Sequence, residues 1–148
     1  MDKSLKKFMN SAIKEAKKAY LKDEVPIGAV LVINGKIIAR AHNLVEKLQK
    51  ATAHAEILAI EKACKKLKSW RLDGAEMYVT LEPCPMCAGG IISARIPEVY
   101  YGAKDEGFGA VGSILNLFEE NFRHHPKVIG HILEDDCKAI LQDFFIQV

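Results

Sequence analysis

The chain has 148 residues, of which 49% are hydrophobic and 27% charged, which predicts one folded domain with an adequate core over residues 1–148. Its apolar runs are too short to cross a bilayer, and its lysine-rich start lacks the apolar stretch of a secretion signal, so we expect a cytoplasmic protein. The net charge of +2 is too small to indicate a nucleic-acid partner by itself, and the four cysteines are expected to be reduced thiols or metal ligands.

The first third of the chain predicts a helix followed by a hairpin. Apolar residues recur at the spacing of one helix face over residues 5–21, and lysines occupy the other faces. The β-branched run at residues 27–33 predicts a strand. Asn34-Gly35 is a strong signal for a tight turn that returns the chain along residues 36–41. We therefore expect an antiparallel pair of strands here.

The rest of the chain predicts alternating helices and strands. Residues 44–51 are polar and without periodicity, which indicates a loop that leads to Thr52, a candidate N-cap for the next helix. The later elements are predicted to be a helix carrying His54 and Cys64, strands at 77–81, 99–103 and 128–133, and helices at 86–94 and 135–145. This order predicts a three-layer α/β/α domain with a five-stranded mixed sheet, in which the hairpin is an antiparallel pair and the other pairings are parallel.

His54, Cys84 and Cys87 are the residues best suited to bind a metal ion. Zinc prefers tetrahedral coordination by nitrogen and sulfur, and these residues would supply three of its four ligands. Both motifs are predicted to lie where the chain enters a helix, so two helix N-termini could converge on one ion and favour ionised thiols. Structural zinc sites normally have four protein ligands, whereas catalytic sites keep one position for water. The pattern therefore favours a catalytic zinc.

Glu56 strengthens this interpretation because it lies two positions after His54, where its carboxylate could face the open position without being a ligand. A His-x-Glu motif followed by Pro-Cys-x-x-Cys is the known signature of zinc-dependent nucleobase deaminases. Zinc lowers the pKa of its bound water from ~15.7 to about 7, so zinc-bound hydroxide is the expected nucleophile. Glu56 would take the water proton, protonate the ring nitrogen beside the attacked carbon, and then protonate the departing ammonia.

Two other interpretations use the same residues. A structural zinc would need a fourth protein ligand, and the candidates lie at no recognisable spacing: Cys64, Cys137, His42, His124, His125 and His131. A purely redox pair of Cys84 and Cys87 would leave His54 and Glu56 without a role. Both interpretations are less favoured, and the cysteines outside the motif are expected to be small apolar core residues.

Eight segments spread along the chain carry a wider resemblance. They are residues 24–30 (EVPIGAV), 42–43 (HN), 52–56 (TAHAE), 70–72 (WRL), 78–89 (YVTLEPCPMCAG), 101–105 (YGAKD), 112–113 (GS) and 143–145 (DFF). Together they resemble the bacterial tRNA-specific adenosine deaminases, which belong to the cytidine deaminase-like superfamily. The resemblance implies the cytidine deaminase-like fold and conversion of adenosine to inosine at the wobble position of an arginine tRNA anticodon. It also implies a homodimer with one zinc ion per subunit.

The resemblance assigns roles to individual residues. It implies zinc ligands at His54, Cys84 and Cys87, with Glu56 as the proton shuttle. The implied substrate contacts are Asn43 to the flipped adenine, Val25, Pro26 and Ile27 along the base pocket, the backbone after Leu81 near the zinc water, Ala103 and Asp105 along the anticodon sugars, and Phe145 against an anticodon nucleotide. Without the family, Asn43 and Asp105 would be interpreted as turn residues and Phe145 as a core residue.

The chain departs from this family pattern at three places. Lys50-Ala51 stands where Asp-Pro is common, and Gly107-Phe108 stands where a lysine is common. The chain also stops at Val148 without the basic tail of many members. Fewer cations predict fewer phosphate contacts with the anticodon stem. Lys104, Arg71 and the lysines of the first helix are candidates to compensate.

Two different functions compete with tRNA deamination. A deaminase of free guanine, cytosine or a nucleoside would need no phosphate contacts, so its activity should be nearly insensitive to moderate salt. A catalytically inert, zinc-stabilised RNA-binding module would bind tRNA and release no ammonia. For the dimer, the apolar helix that contains Ile91 and Ile92 is the candidate interface, and burial in the core is the alternative.

Overall fold

The computed structural model describes residues 2–147, which form a five-stranded sheet between two layers of helices. The helices are α1 (Lys3–Leu21), α2 (Val45–Leu48), α3 (Ala55–Leu67), α4 (Pro85–Ser93) and α5 (Glu134–Gln147). The strands are β1 (Gly28–Ile33), β2 (Lys36–His42), β3 (Ala75–Leu81), β4 (Glu98–Ala103) and β5 (Lys127–Ile129). Over residues 2–147, none of the helices has both the length and the apolarity that a membrane span needs.

The three layers follow from strands that are apolar on both faces. Successive side chains of a strand point to opposite faces of its sheet. Ala29 and Leu31 of β1 pack in the cluster that includes α3 and α4, whereas Val30 and Val32 pack in the cluster that includes α1 and α5. Each face of the sheet is therefore covered by one pair of helices. The predicted three-layer α/β/α arrangement is confirmed.

Helix α1 lies close against the sheet. Its buried residues recur at helical spacing: Phe8, Met9, Ala12, Ile13, Glu15, Ala16 and Ala19. The approach is closest at Gly28 of β1, where a Cβ atom would lie 2.0 Å from the carbonyl oxygen of Ala12. Only glycine fits at that position, and it lets the helix backbone pack directly on the first strand. The helix predicted over residues 5–21 is thus confirmed.

The strand order is β2-β1-β3-β4-β5, and it corrects one prediction. The hairpin forms as predicted, with φ of 51° at Asn34 and 75° at Gly35, both positive as a type I′ turn requires. However, β1 is antiparallel to β3 as well as to β2, so the expectation of a single antiparallel pair was wrong. Strand β3 follows β2 through a helical crossover and runs parallel to it, and β1 lies between them. The β3-β4 and β4-β5 pairs are parallel.

Two local predictions before the site were also wrong. The segment predicted as a loop contains α2, because the buried carboxylate of Glu24 accepts hydrogen bonds from the backbone N–H groups of Glu46, at 3.0 Å, and Lys47, at 2.7 Å. This partner lies more than 20 positions earlier and is invisible to a local pattern. The N-cap of α3 is His54 rather than Thr52.

Strand β5 is shorter than the strand predicted over residues 128–133. It ends at Ile129, and the chain then turns through His131 and Leu133, which have φ of 67° and 53°. Such left-handed conformations cannot continue a strand. The backbone N–H of Ile132 instead donates to the carbonyl of Tyr101, which fixes the turn that leads into α5.

Several strands begin or end at the same side of the sheet, which is the side where β3 and β4 have their carboxyl ends. Parallel strands β3 and β4 end there, β1 begins there, and β2 ends beside β1. Helices α3 and α4 also begin at this side, directly after His54 and Cys84. In open α/β sheets, sites usually form in the crevice outside the carboxyl ends of the strands.

Candidate metal centre and active site

Three potential ligand atoms converge where α3 and α4 begin. Nδ1 of His54 lies 3.6 Å from Sγ of Cys84 and 3.5 Å from Sγ of Cys87. A tetrahedral zinc with bonds of about 2.1 Å to nitrogen and about 2.3 Å to sulfur separates these atoms by about 3.6 Å. The donor atoms of these residues all lie within 4.8 Å of one another. Their spacing and chemistry therefore fit a zinc ion.

The backbone around these residues explains their convergence. His54 and Cys84 are the N-caps of α3 and α4, and Pro85 begins α4, where its missing N–H costs no helical hydrogen bond. Cys87 follows in the first turn and is fully buried. The prediction that two helix N-termini meet at one metal-type site is confirmed.

The residues considered as a fourth ligand for a structural zinc lie away from His54, Cys84 and Cys87. Within the described part of the chain, none of them joins the His54 group. The histidines are bonded to other groups: His42 to Glu15, His124 to the carbonyl of Ile96, His125 to the carbonyl of Glu120, and His131 to Glu134. Cys137 is fully buried in the core, as expected, whereas Cys64 is only partly buried. The arrangement is thus a three-ligand group.

The pKa values of the three potential metal ligands are shifted in different directions. A hydrogen bond from the Cys87 thiol lowers the pKa of Cys84 to about 4, although burial opposes the effect. The neighbouring Cys84 thiolate and burial raise the pKa of Cys87. Bonding to Cys84 raises the pKa of His54. Cys84 is therefore the thiol that is ionised at neutral pH. Cys87 keeps its proton, which metal binding would release.

Glu56 lies beside His54, Cys84 and Cys87 and is not one of the potential metal ligands. Its side chain is buried, and this burial raises the pKa of Glu56 to about 7, with the Cys84 thiolate adding to the effect. A carboxyl group with a pKa near neutrality can accept a proton and return it during one catalytic cycle. Its position and its protonation balance suit a proton shuttle.

A cavity of about 860 Å³ opens next to the three potential metal ligands. This volume is in the range of small-molecule and nucleotide sites. Most of the predicted site residues line it: Val25, Ile27, Asn43, His54, Glu56, Leu81, Cys84, Asp105 and Phe145. The structure thus brings together residues that are up to 120 positions apart in the chain.

The remaining predicted residues lie behind the cavity wall. Pro26 is buried between the lining residues Val25 and Ile27. Ala103 is 1% exposed and packs in the core, while its carbonyl accepts a hydrogen bond from the backbone of Glu82. Cys87 is buried beneath the other two potential metal ligands. These residues support the wall and do not line the cavity in this structure.

Asn43 provides an unpaired polar group inside the cavity. Its side chain is 6% exposed, and its backbone N–H donates to the carbonyl of Ile27 at 3.1 Å. Among the described residues, its Oδ1 has no hydrogen-bond partner. A buried acceptor without a partner is costly, so its position in a cavity indicates that a ligand completes the hydrogen bond.

Glu82 has a structural role that was not predicted from the sequence. Its carboxylate is buried and accepts hydrogen bonds from the backbone N–H groups of Asp105, Val111 and Ser113, at 3.0–3.1 Å, and from the Ser113 hydroxyl. These contacts fix the loop of residues 105–113 against the end of β3. A charged residue between an apolar strand and the Pro-Cys motif was the available signal.

Sequence analysis also missed several lining residues. Glu24, Met86, Phe108 and Leu141 reach the cavity from four separate parts of the chain. Leu141 lies on α5 and reaches the cavity because that helix packs on β4 and beside α1. Phe108 occupies one of the positions where the chain departs from the family pattern, which was a usable signal.

Comparison with known proteins places the chain among deaminases. It matches the sequence model of the MafB19-like deaminases over residues 3–148. It is 57% identical over 139 residues to the tRNA-specific adenosine deaminase of Bacillus subtilis (strain 168), which covers 93% of this chain and 86% of the relative. It is 43% identical over 138 residues to the tRNA-specific adenosine deaminase of Aquifex aeolicus (strain VF5), with coverage of 93% and 91%.

Solved structures agree with these relatives. A structure from a study of A-to-I editing by tRNA:A34 deaminases at the wobble position matches with a TM-score of 0.89 and 48% identity, covering 91% of this chain and 99% of that chain. The guanine deaminase of Bacillus subtilis matches less closely, with a TM-score of 0.66, 33% identity and coverage of 83% and 88%. The predicted deaminase fold is confirmed. The chain is therefore a MafB19-like deaminase that belongs to the tRNA-specific adenosine deaminase family of hydrolytic deaminases.

Proposed function

We propose that this protein is a zinc-dependent deaminase that converts adenosine to inosine at the wobble position of the arginine tRNA anticodon. The observation that carries the proposal is the meeting of the His54, Cys84 and Cys87 group with Glu56 and the unpaired Oδ1 of Asn43 in one cavity. The 57% identity to a tRNA-specific adenosine deaminase supports this substrate over a free base.

His54, Cys84 and Cys87 would hold the zinc ion, one per chain. When bound, zinc supplies a water that is acidic enough to act as a nucleophile at neutral pH. Glu56 accepts a proton from the water and transfers one to N1 of adenine, next to the attacked carbon C6. It then takes the second proton of that water, from the hydroxyl group now on C6, and delivers it to the amino group, which leaves as ammonia while the C6 carbonyl forms. Adenosine and water are thus converted to inosine and ammonia, with all atoms balanced.

The cavity supports recognition of a base that is flipped out of the anticodon loop. Asn43 is proposed to bind the adenine through its unpaired Oδ1. Val25 and Ile27 are proposed to form the apolar side of the base pocket, with the buried Pro26 supporting them from behind. The backbone after Leu81 is proposed to face the attacked carbon.

The outer part of the cavity suits the neighbouring nucleotides. Asp105 is proposed to lie along the anticodon sugars, and the buried Ala103 is proposed to hold the end of β4 from which the loop of Asp105 begins. Asp105 uses Oδ1 to accept from the backbone of its own loop, which leaves Oδ2 to accept from a 2′-hydroxyl group. Phe145 is 58% exposed at the cavity and is proposed to pack on an anticodon nucleotide.

We also propose a homodimer, with a revised candidate interface. Ile91 is fully buried in the core, and Ile92 packs against the same core, so α4 offers little free apolar surface. Ile114, Leu115 and Phe122 are 59%, 45% and 48% exposed and lie close together in the chain. Exposed apolar residues of this kind commonly mark an interface. Sedimentation of the purified protein tests the dimer.

One experiment separates the candidate functions. The zinc-loaded protein is incubated with an arginine tRNA that has adenosine at the wobble position and, separately, with free adenosine, guanine and cytosine. We expect inosine in the tRNA and no ammonia from the free compounds. Ammonia from guanine or cytosine with unchanged tRNA would instead establish a free-base deaminase. Binding of tRNA without any deamination would establish an inert RNA-binding module.

A further inference from the structure

Phe108 is a large apolar residue that is exposed at the catalytic cavity. Its side chain is 70% exposed, and it lines the same cavity as Glu56 and Asn43. Other exposed apolar side chains, such as those of Ile114 and Phe122, do not line it. Phe108 is therefore distinguished by its position, and an occupant of the cavity would meet its ring.

The turn that carries Phe108 is already fixed by hydrogen bonds. Oδ1 of Asp105 accepts from the backbone N–H groups of Gly107, at 3.0 Å, and Phe108, at 3.1 Å. The backbone N–H of Gly109 donates to the carbonyl of Asp105 at 2.8 Å, and Glu82 holds the backbone of Asp105. A ring presented on a preorganised turn loses little conformational entropy when a ligand packs on it.

A second exposed ring lies at the same cavity on a different element. Phe145 of α5 is 58% exposed and packs edge-to-face on Phe144, with ring centroids 5.4 Å apart. Two aromatic rings from a loop and a helix thus border one opening. Single-stranded RNA is commonly bound by such rings, because each unstacked base offers a flat π surface.

The proposed reaction creates unstacked bases at this opening. Moving the target adenosine into the cavity removes it from the stack of the anticodon loop, so its neighbours lose a stacking partner. We propose, resting on the function proposed above, that Phe108 stacks on a nucleobase adjacent to the target adenosine.

A substitution series tests stacking against simple apolar contact. The measurements are KM and kcat for inosine formation in an arginine anticodon stem-loop. Phe108→Ala should raise KM by roughly 5- to 150-fold, the range for loss of one stacked base, with kcat changed much less. Phe108→Tyr should retain the wild-type KM, whereas Phe108→Leu should resemble the alanine variant because it is apolar but not aromatic. Leu21→Ala is the control, since it removes a large exposed apolar side chain outside both the cavity and the proposed dimer interface.

An abasic stem-loop identifies the partner of the ring. One RNA lacks the base on the 5′ side of the target, and the other lacks the base on the 3′ side. The wild-type KM should rise for only one of these two RNAs, and for that RNA Phe108→Ala should raise KM no further. Equal losses from Phe108→Ala on the intact and both abasic RNAs would overturn the proposal. So would a wild-type KM for Phe108→Leu, or a change of sedimentation with Phe108→Ala, which would assign the ring to a protein interface.

The same experiment separates this inference from the function on which it rests. If the wild-type protein forms no inosine in any stem-loop, the proposed function fails and the inference fails with it. If the wild type forms inosine and Phe108→Ala has the same KM, the inference alone is wrong.

Discussion

Glu56 and Glu82 are both buried carboxyl groups at the cavity, but their neighbours give them different roles. Glu82 accepts four hydrogen bonds from the loop of residues 105–113, so both of its oxygens are committed to structure. Among the described residues, Glu56 has no comparable set of backbone donors from a loop, and burial raises its pKa to about 7. A single residue type therefore supplies a structural anchor and a candidate proton carrier within one site.

Substitution of Glu56 should separate catalysis from metal binding. We expect Glu56→Gln to keep one zinc per chain and to lower kcat by roughly 10²- to 10⁴-fold, because the amide cannot carry the proton. Cys87→Ala is the companion variant, and it should lose zinc because a ligand is removed. Metal analysis and the rate of inosine formation measure the two effects. Near-normal turnover by Glu56→Gln would refute the assigned role.

Asn43 should matter for substrate binding and little for folding. We expect Asn43→Ala to lower kcat/KM by about 5- to 150-fold, because a good contact to a base contributes about 1–3 kcal/mol. Its Oδ1 has no partner within the described residues, so its removal should not lower the melting temperature. Thermal unfolding and steady-state kinetics measure the two quantities. An unstable variant with unchanged kcat/KM would show that Asn43 is a structural residue.

At the scale of elements, the loop of residues 105–113 depends on Glu82. We expect Glu82→Gln to destabilise the fold by about 1–3 kcal/mol, because the amide turns an NH₂ group toward backbone donors that need an acceptor. Amide hydrogen exchange at Val111 and Ser113 should become faster, while the zinc content remains unchanged. Glu106→Gln, an exposed change on the same loop, is the control and should leave exchange as it is. Unaltered exchange in Glu82→Gln would contradict the anchoring role.

The contact between α1 and β2 should make stability depend on pH. Burial disfavours the charged form of Glu15, but hydrogen bonds from His42 and Lys18 outweigh it and leave the pKa of Glu15 below its usual 4.5. Such a group stabilises the fold above pH 4.5, and this contribution is lost as the pH falls through the lowered pKa. We expect Glu15→Gln to be less stable than the wild type at pH 6, with the difference shrinking toward pH 3.5.

Urea unfolding at several pH values measures that difference. Glu61→Gln serves as the control, because Glu61 is exposed on α3 and its difference from the wild type should stay small throughout. A Glu15→Gln difference that remains constant from pH 6 to pH 3.5 would contradict the proposed linkage.

The elements that sequence analysis predicted well are those with local causes. The periodicity of α1 and the Asn34-Gly35 turn each depend on neighbours in the chain, and both were confirmed. Helix α2 was missed because the acceptor for the N–H groups of its first turn is Glu24, which reaches it through the tertiary fold. The antiparallel β1-β3 pair was missed because strand order follows from where the crossover helix places β3.

At the scale of the whole molecule, the site too has parts that follow from local sequence and parts that depend on the tertiary fold. The metal-type group was predictable because His54 and the Cys84 and Cys87 pair lie in short motifs at fixed spacing. The cavity around it could not be derived from spacing, since its walls come from the chain near both termini, as Val25 and Phe145 show. Those residues were reached through the family resemblance, and Phe108 and Leu141 were missed.

The net charge of +2 gives this protein little general attraction for RNA. Under the proposed function, specificity would come mainly from the shape and contacts of the cavity, which would accept a base that has left its stack. The proposed function therefore requires that the enzyme select one accessible adenosine among many RNA sequences.

The most direct test is to map inosine after the zinc-loaded protein has acted on a pool of total bacterial tRNA that lacks this modification. Because inosine is read as guanosine, sequencing reports each converted adenosine by position. We expect conversion at the wobble adenosine of arginine tRNA, with other adenosines unchanged. Conversion of adenosines throughout the pool, or of none while free guanine or cytosine is deaminated, would contradict it.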